Sequence, residues 1–250
     1  MTQNPESQWF GTHAVTPREK TRKVIGVFDS VASKYDLMND LMSGGIHRVW
    51  KNHLIRRIRP RAGYHYLDVA GGTGDIAFRI RERTGGKAHI TLCDLNTEML
   101  SVGRDRALNK GYGDLNWVTG NAESLPIPDQ TMDVYTIAFG LRNVTHIDTA
   151  LAEAFRVLKP GGRFYCLEFS QVRDPLMSKI YDSFSYGIIP RMGEMVTQDR
   201  ESYQYLVESI RQFPAQHQLK RRMEAVGFAS CSYENLTFGV ACIHSGLKSA

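Results

Sequence analysis

A short apolar run, Tyr64–Ala70, leads into Gly71-Gly72-Thr73-Gly74 and directly on into a helix-like stretch, Asp75–Thr84. A glycine-rich turn between a strand and a helix lets backbone approach a ligand at the helix N-terminus, where unpaired N–H groups converge. The same periodicity then repeats. Strand-like Ala88–Asp94 is followed by helix-like Thr97–Asn109, and strand-like Leu115–Thr119 and Met132–Ala138 by helix-like Asp148–Leu158. Asp148 is the expected N-cap of that last helix. Lys159-Pro160-Gly161-Gly162 should stop it before a fifth strand, Arg163–Phe169. Such alternation predicts a doubly wound, mostly parallel α/β sheet. Ala229–Leu236 and Phe238–His244 are joined too tightly for a crossover helix, so they should pair as an antiparallel hairpin at one sheet edge.

With 250 residues, 42% of them hydrophobic, one domain with decorations is expected. Residues 1–16 read as a flexible tail, 17–62 as N-terminal helices, 63–170 as a cofactor-binding core, 171–218 as a helical substrate cover, and 219–250 as a last helix and edge hairpin. Val24, Phe28, Val31 and Tyr35 fall at helical spacing, and so do Ile46, Trp50, Leu54 and Ile58. These helices and the Met-, Tyr- and Phe-rich Leu176–Gln218 are candidates to cover the carboxyl edge of the sheet, where α/β ligands bind. Plain packing helices are the competing account.

The four cysteines are widely spaced in apolar runs, with neither zinc nor disulfide spacing, and no metal is expected. Met1–Thr16 has no apolar signal core, and no run approaches the roughly 20 apolar residues of a membrane span. A cytoplasmic protein is expected. Residues 1–61 hold eleven Lys/Arg against five acids, so this region carries +6 while the rest of the chain sums to −1. That suits contact with anionic lipid or nucleic acid, and a solvated helix face explains it equally well.

The loop alone does not choose its ligand, because Gly72-x-Gly74-x-x-Ala77 also passes as a dinucleotide fingerprint. Charge separates the readings. Asp68 and Asp75 bracket the loop, where a dinucleotide would place its diphosphate. Each like-charge contact at about 4 Å costs roughly 1 kcal/mol in water and ~4 kcal/mol at an effective dielectric near 20. The sulfonium and ammonium of S-adenosylmethionine are favoured there instead. Asp94 ends the second strand, 20 residues after Gly74, placed to accept from both ribose hydroxyls. Asn121-Ala122 follows the third strand, where an amide and a backbone N–H suit adenine, although Asn at a strand end is often only a turn residue.

Two longer segments carry a family resemblance. Tyr35-Asp36-Leu37-Met38-Asn39-Asp40-Leu41-Met42-Ser43-Gly44-Gly45-Ile46-His47-Arg48-Val49-Trp50 resembles the N-terminal signature of ubiquinone/menaquinone biosynthesis C-methyltransferases of the UbiE type. Arg156 to Ser170 resembles their second signature, and Phe139-Gly140-Leu141-Arg142-Asn143 matches in position after strand four. The resemblance spans about residues 17–246. It implies a Rossmann-like, seven-stranded class I methyltransferase sheet with a helical lid, S-adenosylmethionine as co-substrate, and methylation of a ring carbon of a polyprenylated benzoquinol or naphthoquinol. Cofactor contacts implied by it fall on Thr73, Asp94, Asn121 and Ala122, to which the loop reading adds Asp68, Gly72 and Gly74. One departure is Ala138, where the family often has a cofactor-contacting Ser. The resemblance also suggests peripheral association with other quinone-pathway enzymes.

Arg142 and Asn143, at the carboxyl end of strand four, are the expected substrate-facing residues, with a structural guanidinium bridging loops as the rival for Arg142. His47 and His146 are candidate bases, and Tyr35 a contact for the methionine end of the cofactor. Leu176, Met177, Ile180, Tyr181, Phe184, Ile188 and Ile189 are candidates to line a prenyl path, with Lys179 and Arg191 biasing docking to a membrane. A nucleic-acid methyltransferase is disfavoured. The Asn/Asp-Pro-Pro-aromatic and Pro-Cys segments of base methylation are absent, as is a separate reading domain, so no nucleic-acid partner is expected. A nicotinamide oxidoreductase is disfavoured by charge, and a non-catalytic cofactor-binding subunit remains an alternative.

Overall fold

The computed structural model describes residues 8–10, 13–31, 39–40, 43–172 and 200–249. Tyr35, the proposed prenyl path from Leu176 to Ile189, and both Lys179 and Arg191 lie outside them.

A seven-stranded sheet forms the centre, with strands β3 (His65–Val69), β4 (His89–Asp94), β5 (Asn116–Thr119), β6 (Met132–Ala138), β7 (Leu158–Phe169), β8 (Ala229–Leu236) and β9 (Ala241–Leu247). Their order is β5-β4-β3-β6-β7-β9-β8. The first five run parallel, and β9 pairs antiparallel with both β7 and β8. The chain steps outward to β4 and β5 on one side of β3, then returns to place β6 and β7 on the other. The carboxyl ends of β3 and β6 therefore flank the topological switch point, where such sheets open a crevice for ligand.

Helices cover both faces. Helix α1 (Pro17–Val31) and helix α2 (His47–Ile58) precede the sheet. Helix α3 (Asp75–Thr84) follows β3, helix α4 (Thr97–Asn109) follows β4, and helix α5 (Ile147–Val157) precedes β7. Helices α6 (Arg200–Gln212) and α7 (Gln216–Val226) come before the edge hairpin. The apolar stripe read on α2 is the buried one. Trp50, Leu54, Ile55 and Ile58 join Ile76, Ile80, Leu167 and Phe169 in one core layer. Leu67, Val69, Ile137, Leu151, Val157, Leu219 and Met223 form the other. Each fully buried Leu or Ile contributes roughly 1.5–3 kcal/mol. Trp50 meets the Phe169 ring edge-on at 5.9 Å, and its indole N–H donates to Thr237 Oγ1 at 2.9 Å, which ties α2 to the edge hairpin.

Four local expectations are corrected. β7 starts at Leu158 rather than Arg163, because Met132 pairs with Leu158 and Val134 with Arg163, so Lys159–Gly162 bulge out of a continuing strand. The bulge is held by Gly161 N–H on Lys248 O at 2.7 Å and Lys248 N–H on Gly162 O at 2.9 Å. The α5 N-cap is His146, and Asp148 pairs instead with Arg222 at 3.5 Å. β9 begins at Ala241, since Thr237–Gly239 form a tight 3₁₀ turn in which Phe238 has φ 58°. Finally, the expected tail contains an antiparallel pair, β1 (Gln8–Phe10) with β2 (His13–Val15). Phe10 stacks on Tyr205 of α6 at 4.1 Å, and the two-residue Gly11-Thr12 link is a hairpin signal in the sequence.

Candidate functional site

The end of β4 fixes Asp94. Its Oδ2 accepts from Gly72 N–H at 2.8 Å, and its Oδ1 from Asn96 N–H at 2.8 Å. Burial raises its pKa, and these backbone donors oppose the rise. Gly72 has φ +50°, in the left-handed region that favours glycine, and a Cβ there would sit 2.9 Å from the tip of the Met99 side chain. Across the switch point, a Cβ on Gly140 would collide with that of Ala70. Ala70 (φ 51°) and Phe139 (φ 58°) are both non-glycine residues in the left-handed region, a strained arrangement of the kind concentrated at functional sites.

Between these residues lies a cavity of about 800 Å³, counting its open mouth. Ala70, Gly72, Asp94, Ala122, Gly140 and Asn143 line it, and Val24, Ile25 and Phe28 of α1 give it an apolar roof. The roof is fastened by Asn96 Nδ2 donating to Asp29 Oδ1 at 2.8 Å and by Lys20 Nζ donating to Val144 O at 3.1 Å. Asn121 lines the cavity too, but its Oδ1 closes a turn by accepting from Glu123 N–H at 3.0 Å. Its Nδ2, the second lone pair of Oδ1 and the neighbouring backbone remain for a ligand.

A second, smaller cavity adjoins the first and shares Ala70 and Phe139 with it. Lys51, Asp68, Gly71, Thr73, Asp75 and Ala138 complete its lining. The predicted contact Thr73 is buried here rather than in the main cavity, and Gly74 serves as the left-handed N-cap of α3. Asp68 accepts from Thr136 Oγ1 at 2.8 Å through Oδ1, while its buried Oδ2 has no hydrogen-bond partner among the described residues. Burial lifts its pKa to about 7. Thr136 and the nearby Ala77 amide pull it down, and Asp75 and Asp94 add to the rise. Asp75 behaves oppositely: burial raises it, but Lys51 at 2.7 Å and Arg79 at 3.0 Å override this and hold it at about 2. Its charge is thus neutralised within the protein. The charge argument for a cationic ligand passes to Asp94 and Asp68, since Lys51, remote in sequence, was not foreseen.

The catalytic candidates separate. Asn143 faces the main cavity, and its Oδ1 accepts from Tyr205 OH at 3.1 Å. Arg142 is buried, bonded through Nη1 to Glu168 Oε1 at 2.7 Å and Phe139 O at 2.6 Å, with its guanidinium 5.4 Å from the Phe169 ring centre. This is the loop-bridging arrangement. His47 is buried at the start of α2 and lines neither cavity, one helical turn before Lys51. Its Nε2 bonds Asp40 Oδ1 at 2.8 Å, and its Nδ1 has no partner among the described residues. Burial and Lys51 lower its pKa, and Asp40 partly restores it. His146 is exposed and bonded to Glu123 Oε2 at 2.7 Å. Sequence reasoning missed Lys51, Thr136, Glu168 and Tyr205. Glu168 had a usable signal, being a carboxylate inside the apolar strand Phe164–Phe169 that must find a partner.

Among the described residues no group of three or more His, Cys, Asp or Glu side chains could hold a metal. Strand order, the glycine turn at the switch point and the carboxylate ending β4 define a class I methyltransferase of the S-adenosylmethionine-dependent kind. The fold agrees with a SAM-dependent methyltransferase of Thermotoga maritima, matched at a TM-score of 0.65 and 17% identity over 90% of this chain and 99% of that one. The profile of the ubiE/COQ5 methyltransferase family matches residues 16–248, and the chain belongs to that family. It is 57% identical to the ubiquinone/menaquinone biosynthesis C-methyltransferase UbiE of Brucella anthropi, over 96% of this chain and 92% of the relative. It is 51% identical to the mitochondrial 2-methoxy-6-polyprenyl-1,4-benzoquinol methylase of Bos taurus, over 96% of this chain and 83% of the relative.

Proposed function

We propose that this methyltransferase transfers the methyl of S-adenosylmethionine to a ring carbon of a polyprenylated benzoquinol or naphthoquinol. The observation that carries the reading is one cavity lined both by a backbone-anchored carboxylate, Asp94, and by Asn143. The residues present suit the cofactor: Asp94 would hold the ribose, Ala122 and the apolar roof the adenine, and Asp68 Oδ2 is an unmatched acceptor for a cation. When bound, S-adenosylmethionine supplies an electrophilic methyl group.

Ring carbons become strong nucleophiles when an adjacent hydroxyl ionises. A quinol hydroxyl titrates near ~10, so full ionisation at neutral pH is worth up to ~4 kcal/mol, within reach of a base and an oxyanion donor. Asn143 is proposed as that donor. Tyr205 occupies its Oδ1, which leaves Nδ2 to face the substrate oxygen. His47 is proposed as the base, and since it lines neither cavity the proton would reach it over one bridging water rather than by direct contact. Asp40 favours the proton on Nε2, and burial, which lowers the pKa, favours a free Nδ1 lone pair. Arg142 positions Asn143 through its ties to Glu168 and Phe139.

A prenylated substrate resides in lipid. No helix among the described residues is long and apolar enough to cross a membrane. The reading therefore places the enzyme peripherally at a membrane surface, with the basic residues 1–61 toward anionic headgroups and other quinone-pathway enzymes nearby.

The test is label transfer from methyl-labelled S-adenosylmethionine to short-tailed, ring-demethylated benzoquinol and naphthoquinol, each reduced and oxidised. Carbon-bound label in the quinols alone supports the reading and reveals the ring preference. Absence of transfer to both, with cofactor bound, overturns it.

A further inference from the structure

Behind the wall that carries Asn143 lies a third cavity, of about 1050 Å³ counting its open mouth. It shares Val144 and Thr145 with the nucleoside cavity and includes neither Asp94 nor Asn143. Helix α5 starts in it. His146, Ile147, Asp148 and Thr149, the N-cap and first turn, all line the cavity, and no side chain caps them. The first amides of a helix have no partner within it and carry the positive end of its dipole. Two cations beside this turn are buried, a placement that such side chains rarely accept unless they are paired. Lys20 is 8% exposed and Arg142 5%, and both line the cavity. Lys20 Nζ donates to Val144 O at 3.1 Å, one of the three bonds an ammonium can make. Burial lowers its pKa and Glu123 offsets this only in part, as for a cation short of counter-charge. Arg142 gives Nη1 to Glu168 and to Phe139 O, while its Nε is buried with no hydrogen-bond partner among the described residues. Buried donors in folded proteins are nearly always matched, so this one points to a group that completes it. The acids nearby are already engaged: Glu168 by Arg142, Asp148 by Arg222 at 3.5 Å and Glu123 by His146 at 2.7 Å. Lys20 and the start of α5 are left as the net positive charge of the cavity.

We propose that this cavity is an anion site for a phosphate group, held by Lys20 and the first turn of α5 with Arg142 Nε as a further donor. The phosphate is either free, as phosphate or diphosphate, or part of a lipid headgroup. A helix N-terminus with a lysine and a guanidinium beside it is the arrangement that recognises such oxyanions. The site is separate from the nucleoside cavity, and it backs onto the segment Arg142–Thr145 that carries Asn143. Tyr205 lines it as well and donates to Asn143 Oδ1 at 3.1 Å. An anion held there braces the substrate-facing wall from behind.

The experiment is isothermal titration of the full chain, saturated with S-adenosylhomocysteine and at constant ionic strength, with three probes: inorganic phosphate, diphosphate and water-soluble dihexanoylphosphatidylglycerol. In Lys20→Gln the affinity should fall by ~10- to 100-fold, the scale of one charge-assisted hydrogen bond, and Lys20→Arg should recover much of the loss. Arg18→Gln, on the exposed side of α1 and outside this cavity, should stay within about twofold. Lys20 also fastens the roof of the nucleoside cavity, so Thr149→Glu is measured beside it. An acid in a first turn favours the helix itself, so a fall in anion affinity there is not loss of fold. Binding of phosphate or diphosphate that both variants weaken supports the site and assigns it to a free anion. Binding of the phosphatidylglycerol alone, weakened in the same way, supports it and assigns it to a lipid headgroup. Absence of binding by all three probes, or affinities that neither Lys20→Gln nor Thr149→Glu moves, overturns the site and leaves the methyltransferase reading intact.

Discussion

Arg142 Nη1 donates to Glu168 Oε1 at 2.7 Å, with both side chains only 1% exposed. Glu168 Oε1 also accepts from Phe169 N–H at 2.9 Å, and Oε2 from Arg142 N–H at 3.3 Å. The pair therefore pins the turn after β6 to the end of β7, and Asn143 is the next residue along. Removing one partner leaves a buried charge unmatched, which costs about 3–5 kcal/mol, whereas replacing both with apolar side chains of similar volume is far milder. Arg142→Met and Glu168→Leu should each lower unfolding free energy by about that amount in denaturant titrations. The double variant should lose much less than the sum of the singles. Additive losses would show that the pair is not coupled.

The hydroxyl of Tyr205 should govern turnover through Asn143 without touching the cofactor. Tyr205→Phe removes one neutral hydrogen bond, worth about 1 kcal/mol, and frees the amide to rotate. A fall in kcat of roughly 5- to 10-fold is expected, with S-adenosylhomocysteine affinity unchanged. Asn143→Ala should fall further and should make the Tyr205 substitution silent. If Tyr205→Phe reduces kcat equally in the Asn143→Ala background, the two residues act separately.

Asp68 gives the ligand-free protein a particular pH dependence. Its folded pKa of about 7 lies above the ordinary carboxyl value of 3.8, so between these limits the folded state holds a proton that the unfolded chain has released. Stability from this group is thus present at acid pH and is lost as pH rises toward 7 and above. Asp75, at about 2, has no further change to make in that range. Thermal midpoints measured from pH 5 to 8 should decline more steeply for the unmodified protein than for Asp68→Asn. Parallel profiles would mean that Asp68 stays ionised throughout.

Much of this architecture is legible in the residues because each signal is local. The helices Asp75–Thr84 and Thr97–Asn109 and the strands Met132–Ala138 and Ala229–Leu236 lie where periodicity puts them. Asp94 was readable because a carboxylate ends an apolar run at a fixed distance from a glycine turn. What escaped is side-chain pairing across the fold. Lys51 meets Asp75 across 24 residues and Arg142 meets Glu168 across 26, and no local pattern names such partners. The bulge at Lys159–Gly162 escaped for a related reason. Proline and glycine announce a break in the ladder, but whether the strand resumes depends on the distant Lys248.

His47 tests the chemistry most directly. Burial and the nearby Lys51 push its pKa below the usual histidine value, which favours the neutral imidazole. Asp40 bonds Nε2 at 2.8 Å and favours the proton there, which leaves Nδ1 as the basic atom. A general base of this kind contributes ~10²- to 10⁴-fold. His47→Gln should therefore reduce kcat by at least ~10²-fold with cofactor affinity unchanged, and should remove the acid limb of the pH profile of kcat/KM. Asp40→Asn removes the carboxylate that favours the imidazolium, so the same limb should move to lower pH in that variant. Asp40 also pairs with Arg48 at 2.6 Å, so its loss is assayed beside Arg48→Met, which should leave the limb in place. Turnover of His47→Gln within a few-fold of the unmodified enzyme would place the base elsewhere, and an unshifted limb in Asp40→Asn would assign that ionisation to another group.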